Sequence, residues 1–381
     1  MIRHAYQDEK KETGAGFLRG LPFLLMIVLL LFLVLLSTGE SASAENIGSS
    51  ADTEELPEYS ISLSDVQCSS TCNSVTIDGS TITITEAGSY TLTGTLSDGQ
   101  ICVDTDKESK VRLILSSVHI SNTGSAAVYV RSADKVILSL ADGSSNTLET
   151  IGSFVQTDEN NVDGAVFSKE DLTIKGSGSL TVNASGGHGI VSKDDLKITG
   201  GTVTVNAGKK ALSANDSVIV ENGILTLNAG TEGMEASNVV ISGGEISIQA
   251  ADDGINATWL SDQTRPAIEI SGGNLTVVMG AGDTDGVDSN GDLSITGGSI
   301  DISGNSAFDV DGTITFTGGS VVVNGQQVDS IPNQMMGMGG FGRMNGGGMN
   351  SGDRNGMNSG MNQGMNGEAR RSSGFFFAGN G

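Results

Sequence analysis

From residue 163 onward the sequence repeats itself with a period near twenty-two, which restricts the fold more than any other feature does. Successive units read "DGAVFSKEDLTIKGSGSLTVNASGG", "HGIVSKDDLKITGGTVTVNAGK", "KALSANDSVIVENGILTLNAGT" and "EGMEASNVVISGGEISIQAAD". Then follow "DGINATWLSDQTRPAIEISGGNLTVVMGAGDT", "DGVDSNGDLSITGGSIDISGN" and "SAFDVDGTITFTGGSVVVNG". With Gly164, Gly189, Ala211, Gly233, Gly254, Gly286 and Ala307 in one register, the spacings are 25, 22, 22, 21, 32 and 21. The spacing of 32 is one unit with an inserted loop.

Within a unit, a short run such as Gly189-Ile190-Val191 precedes two alternating runs, such as Leu196–Ile198 and Val203–Val205, divided by Gly-Gly or a similar turn. Period-two alternation marks strands with one buried face. Three short strands per ~21 residues, with glycine or Asx corners, predict one coil of an all-β parallel β-helix. The composition agrees: 55 of 381 residues are Gly and only 4% are aromatic, so a narrow interior of Val, Ile, Leu and Ala suffices. Helical repeats would not alternate in this way, and the Leu-x-x-Leu-x-Leu signature of leucine-rich repeats is absent.

Less regular alternation extends this solenoid back over residues 60–162, with "FVQTDENNV" (154–162) as a corner loop, and the regular coils run over 163–331. Residues 332–381 hold eight of the twelve Met among Gly, Asn and Ser, and are expected to be a disordered tail. Thioethers bind Cu(I), but no Cys or His accompanies these ones, which favours a flexible tether. Residues 1–44 read as a signal peptide. Basic residues precede the apolar run 21–36, and Ala42-Ser43-Ala44 supplies a cleavage pattern before a linker at 45–59. Sixteen apolar residues are a little short for a membrane span, with an uncleaved anchor as the alternative. The expectation is a protein secreted or held at a bacterial cell surface. Cys68 and Cys72 could pair with each other, or either with Cys102, leaving one thiol over.

A net charge of −25 excludes the basic surface that nucleic acid requires and favours cations. Alignment of the units shows where the acids gather. Before the register position stand Asp163, His188, Lys210, Glu232, Asp253, Asp285 and Ser306; two residues after it stand Val166, Val191, Ser213, Glu235, Asn256, Asp288 and Asp309. Asp252 and Asp283 add to the same corner.

Coils stack ~4.8 Å apart, and two carboxylates at that distance repel by about 3.5 kcal/mol at an effective dielectric of 20. An ion midway would sit ~2.4 Å from each oxygen, which suits Ca²⁺ better than Mg²⁺. Neither an EF-hand nor the nine-residue glycine-rich calcium repeat is present. The expected calcium ligands are therefore Glu232, Glu235, Asp252, Asp253, Asn256, Asp283, Asp285, Asp288 and Asp309. Asn183, Asn206, Asn228 and Gln249 share one place in four units, as expected of a hydrogen-bonded amide ladder. Contact between that ladder and a sugar would require the amides to point outward.

The segments "SVTIDGSTITITEAGSYTLTGTLSDGQICVD", "GAVFSKEDLTIKGSGSLTV" and "DGINA…DGVDSNGDLSITGGSI" resemble the secreted bacterial carbohydrate-binding β-helix proteins that bind calcium. The resemblance spans roughly residues 60–330. It implies a right-handed parallel β-helix, calcium at acidic corners and binding to plant-wall polysaccharide, either polygalacturonate-type pectin or cellulose. Its acidic positions fall on Glu232, Asp253, Asp285 and Asp288, whereas His188 and Lys210 depart from the pattern.

Trp259 and Arg265, in the inserted loop, are candidates for stacking on a sugar and holding its carboxylate, with packing on the scaffold as the alternative. Catalysis is not expected. A lyase needs a strong base beside calcium, and Arg265 is the sole arginine between residues 132 and 342. A glycosidase needs two carboxylates set across a cleft that short loops do not build.

Overall fold

The computed structural model describes residues 55–68, 72–260, 265–280 and 284–333. The segment expected to be a signal peptide (1–44), Asp283 and, from residue 334 on, the segment expected to be a disordered tail lie outside the described residues. The described chain is all-β. Its strands form a 19-stranded and an 11-stranded sheet that are almost wholly parallel.

Each repeat contributes three strands, and each strand pairs in parallel with its counterpart in the next repeat. In the smaller sheet, His188–Ser192 is followed by Leu212–Ala214, Met234–Ala236, Ile255–Ala257, Asp285–Ser289 and Ser306–Val310. The larger sheet holds two further series. One passes through Leu196–Ile198, Ser217–Val220, Asn238–Ile241 and Ala267–Ile270. The other passes through Thr202–Ala207, Ile224–Ala229, Glu245–Ala250 and Asn274–Met279. The two series join in Asp292–Ser303, one strand that pairs with both and slips register near Thr296.

Alternation places one side of every strand in a continuous core. Val203 and Val205, Leu225 and Leu227, and Ile246 and Ile248 stack in successive layers, each at most 1% exposed. The turn between the two larger-sheet series needs glycine. Gly201, Gly223, Gly244 and Gly273 have φ of 91°, 120°, 93° and 83°, a region that side chains with a Cβ rarely adopt.

Both ends of the stack are closed by antiparallel hairpins: Val75–Asp78 on Thr81–Ile84 at one, Gln326–Val328 on Ile314–Val323 at the other. Two side-chain amides extend the second closure. The Asn333 Nδ2 donates to the Val310 carbonyl (2.9 Å) and its Oδ1 accepts from the Val310 N–H (2.9 Å). Asn324 does the same with Gly304. Near the first end Cys68 and Cys72 form a disulfide. Cys102 is a buried free thiol, pushed up to about 11 chiefly by burial.

Candidate functional site

The outward side of the smaller sheet changes character along its length. By register, one column of neighbours runs Cys102, Tyr129, Phe167, Val191, Ser213, Glu235, Asn256, Asp288, Asp309. The first four are apolar or aromatic, and residues 154–162 cover them. Phe154 and Val162 pack there, and the Tyr129 hydroxyl donates to Asp158 Oδ2 at 2.7 Å. The sequence alignment placed Val166 in this column. The observed register puts Phe167 there, because the 25-residue first unit pairs Gly164 with His188 rather than with Gly189.

A second column forms at the turn just before these strands, where main-chain bonds fix the stacking. The Ala211 N–H donates to the Glu232 carbonyl (3.1 Å), Gly233 to Asp253 (2.9 Å) and Gly254 to Asp285 (2.9 Å). A Cβ on Gly254 would lie 2.5 Å from the Gly286 carbonyl oxygen, so a side chain at this turn would push the layers apart. The strand column and the turn column together bring Glu232, Glu235, Asp253, Asn256, Asp285, Asp288 and Asp309 onto adjacent layers. Asp252 precedes Asp253 in the same turn.

Asp253 is the internal hinge of this cluster. Its Oδ1 accepts the Asp285 N–H (2.9 Å) and its Oδ2 the Asn256 amide (3.4 Å). Other polar atoms are buried with no hydrogen-bond partner among the described residues: Glu232 Oε2, Asn256 Oδ1, Asp285 Oδ1 and Ser306 Oγ. Three of the four are acceptors only, so a cation or a donor is what they lack.

Crowding shows in the acidities. Burial first, then Asp252, Asp285 and Glu232, push Asp253 up to about 6, against the Asp285 N–H. Burial first, then Asp253, Asp285, Asp309 and Asp311, push Asp288 up to about 7. Among the described residues no group of three His, Cys, Asp or Glu side chains is already gathered to hold a metal ion. The acids stand layer by layer with an amide between them.

Where the acidity begins, the chain supplies its own cation. The Lys210 ammonium contacts Glu235 Oε2, with the Glu235 side chain 7% exposed. Next to it His188 lies 3.7 Å from Asp163 and is held down to about 4 by burial, against Asp163 and with the neighbouring lysines, and so is neutral. The lysine at 210 was visible in the sequence, but its reach across a layer to Glu235 was not.

Trp259 is 59% exposed just after Ile255–Ala257, at the opposite end of that strand from Asp253. Arg265 Nη2 lies 3.1 Å from Asp292 Oδ1. The structure therefore sets these two apart from the acidic columns, and gives Arg265 a carboxylate of its own.

A family model described as "Carbohydrate-binding domain-containing protein" matches residues 78–330, more than half of the chain. The chain belongs to this carbohydrate-binding family. A carbohydrate-binding domain-containing protein of Acetivibrio thermocellus is 44% identical over 142 residues, 35% of this chain and 50% of that protein. The chain thus matches about half the length of that curated relative. Among solved structures, a polysaccharide lyase-like protein from C. thermocellum, as a gadolinium derivative, superposes with a TM-score of 0.51. It is 31% identical, over 69% of this chain and 98% of that one. The acidic columns, the amide ladder and Trp259 all lie inside the family match.

Proposed function

We propose that this carbohydrate-binding chain is a secreted, calcium-dependent, non-catalytic binder of acidic plant-wall polysaccharide, built as a right-handed parallel β-helix. One observation carries the cation. Buried acceptor atoms without donors, on Glu232, Asn256 and Asp285, lie along two columns of stacked acids. Oxygen acceptors buried without a donor are stabilised by a hard cation that takes oxygen ligands.

Glu232, Asp253, Asn256, Asp285 and Asp288 would hold the ion, with Glu235, Asp252, Asp283 and Asp309 around them. Calcium would supply positive charge and spare coordination to a uronate carboxylate. That reconciles a protein of net charge −25 with an anionic ligand.

The neighbour's lyase-like description raises catalysis as the rival. A lyase base would be an unpaired Arg or Lys beside the cation. Lys210 is engaged with Glu235 and Arg265 with Asp292, which favours binding.

Calorimetric titration with polygalacturonate, in calcium and then in EGTA, tests the proposal. The expected outcome is saturable binding in calcium, at least tenfold weaker in EGTA, with no unsaturated products. Absence of binding in both conditions would leave a calcium-braced surface protein. Unsaturated ends would make it an enzyme.

A further inference from the structure

An asparagine followed by glycine is open to attack by its own backbone, because the glycine nitrogen carries no neighbouring side chain to obstruct its approach to Cγ. Three such pairs fall among the described residues: Asn222-Gly223, Asn290-Gly291 and Asn324-Gly325. Their surroundings differ.

Two of the pairs have their groups committed elsewhere. Asn324 Nδ2 donates to the Gly304 carbonyl (2.9 Å) and its Oδ1 accepts the Gly304 N–H (3.1 Å), which holds the amide on the neighbouring layer. Asn290 Oδ1 accepts from the Thr258 hydroxyl (2.8 Å), and the Gly291 N–H donates to Ser289 Oγ (3.3 Å). Asn222 instead lies exposed in the turn between Ser217–Val220 and Ile224–Ala229, and its Oδ1 accepts the N–H of Gly223 itself at 2.8 Å. That bond keeps the attacking nitrogen beside the carbon it would attack. The turn is also fixed to the layers on either side. The Glu221 N–H donates to the Ile198 carbonyl (2.9 Å), Ile224 to Gly201 (2.9 Å), and the Gly223 carbonyl accepts from Glu245 (2.8 Å).

We infer that Asn222 is a site of spontaneous deamidation in the folded chain. The Gly223 nitrogen bonds to Asn222 Cγ, the side-chain nitrogen leaves as ammonia with the peptide proton, and a succinimide ring remains. Water then adds to either ring carbonyl and opens it to aspartate or isoaspartate at position 222. One water is consumed and one ammonia released, with no oxidant or cofactor. The isoaspartate form adds a methylene to the main chain between the anchors at Glu221 and Ile224, which disturbs the stacking on both adjacent layers. Either form adds a negative charge beside Glu221, the partner of Lys197 at 2.7 Å. The inference is independent of the carbohydrate and cation readings.

The test is ageing of the mature chain in mildly alkaline buffer, folded and in urea, followed by cleavage after glutamate and mass spectrometry. Fragment 222–232 of the folded chain is expected to take up the amide-to-acid mass change at Asn222 rather than Asn228, and to become a substrate of isoaspartyl methyltransferase. It should do so at least tenfold faster than the fragments holding Asn290 and Asn324, whereas in urea the three rates converge. The melting temperature of the wild type should fall on ageing, and that of Asn222→Gln, whose longer side chain closes the ring poorly, should hold. An intact Asn222 in the aged folded chain, equal folded-state rates at the three pairs, or an equal fall in the variant would overturn the inference.

Discussion

Lys210 occupies, one repeat earlier, the place taken by Glu232, Asp253 and Asp285 in the repeats that follow. Its ammonium does for Glu235 what an external ion is proposed to do further on. Lys210→Met would strand a buried carboxylate, a change that costs about 3–5 kcal/mol. Urea denaturation in EGTA should show that loss, and calcium should restore part of it by taking the vacated place. Equal stability of variant and wild type in EGTA would mean that the contact carries little weight.

At the same scale, Asp253 and Asp288 titrate near 6 and 7 in the folded chain and near ~3.9 when unfolded. Without calcium, the native state keeps protons that the unfolded chain releases. The stability they bring is complete below about 4 and is lost as pH rises to about 7. Urea midpoints in EGTA should fall between pH 5 and pH 8, and Asp288→Asn should flatten that fall while weakening calcium binding by about tenfold.

At the scale of the element, the turn at Gly254 lets two strands of neighbouring repeats approach without a side chain between them. Gly254→Ala forces the Gly286 carbonyl to move, and overpacking of this kind costs about 1–3 kcal/mol. The melting temperature should drop accordingly, and polygalacturonate affinity should drop with it if the acids depend on that spacing.

The strands themselves were legible in the sequence, because alternation at Leu196–Ile198 or Val203–Val205 leaves one face for the core whatever the neighbours do. So was the gathering of Glu232, Asp253 and Asp285, which follows from the period alone. Two features were not legible. The first unit is slipped by one position, since its extra residues can be absorbed at more than one turn. The Lys210–Glu235 contact crosses layers through a long side chain, and no spacing rule encodes that.

At the scale of the molecule, a single outward column begins as Tyr129 and Phe167 under a covering loop and ends as Asp288 and Asp309. The same backbone repeat therefore serves packing in its early part and charge in its later part, by changes at one position per unit. That division predicts the effect of trimming the cover. Phe154→Ala should destabilise the chain by about 1–3 kcal/mol, at the lower end of core truncations because Phe154 is only partly buried, and should leave calcium affinity unchanged. Chemical denaturation and calcium titration of the same variant check both halves.

A stack whose every layer is a template for the next must also be told where to stop. Here the stop signal at the far end includes a carboxamide: Asn333 offers Val310 the donor and acceptor that another strand would have offered. Asn324 does so for Gly304. Exposed strand edges recruit other chains. With Asn333→Leu, sedimentation should reveal concentration-dependent end-to-end association that the wild type lacks. The boundary between a finite protein and an open-ended fibre would then rest on a few side-chain amides imitating the peptide bond.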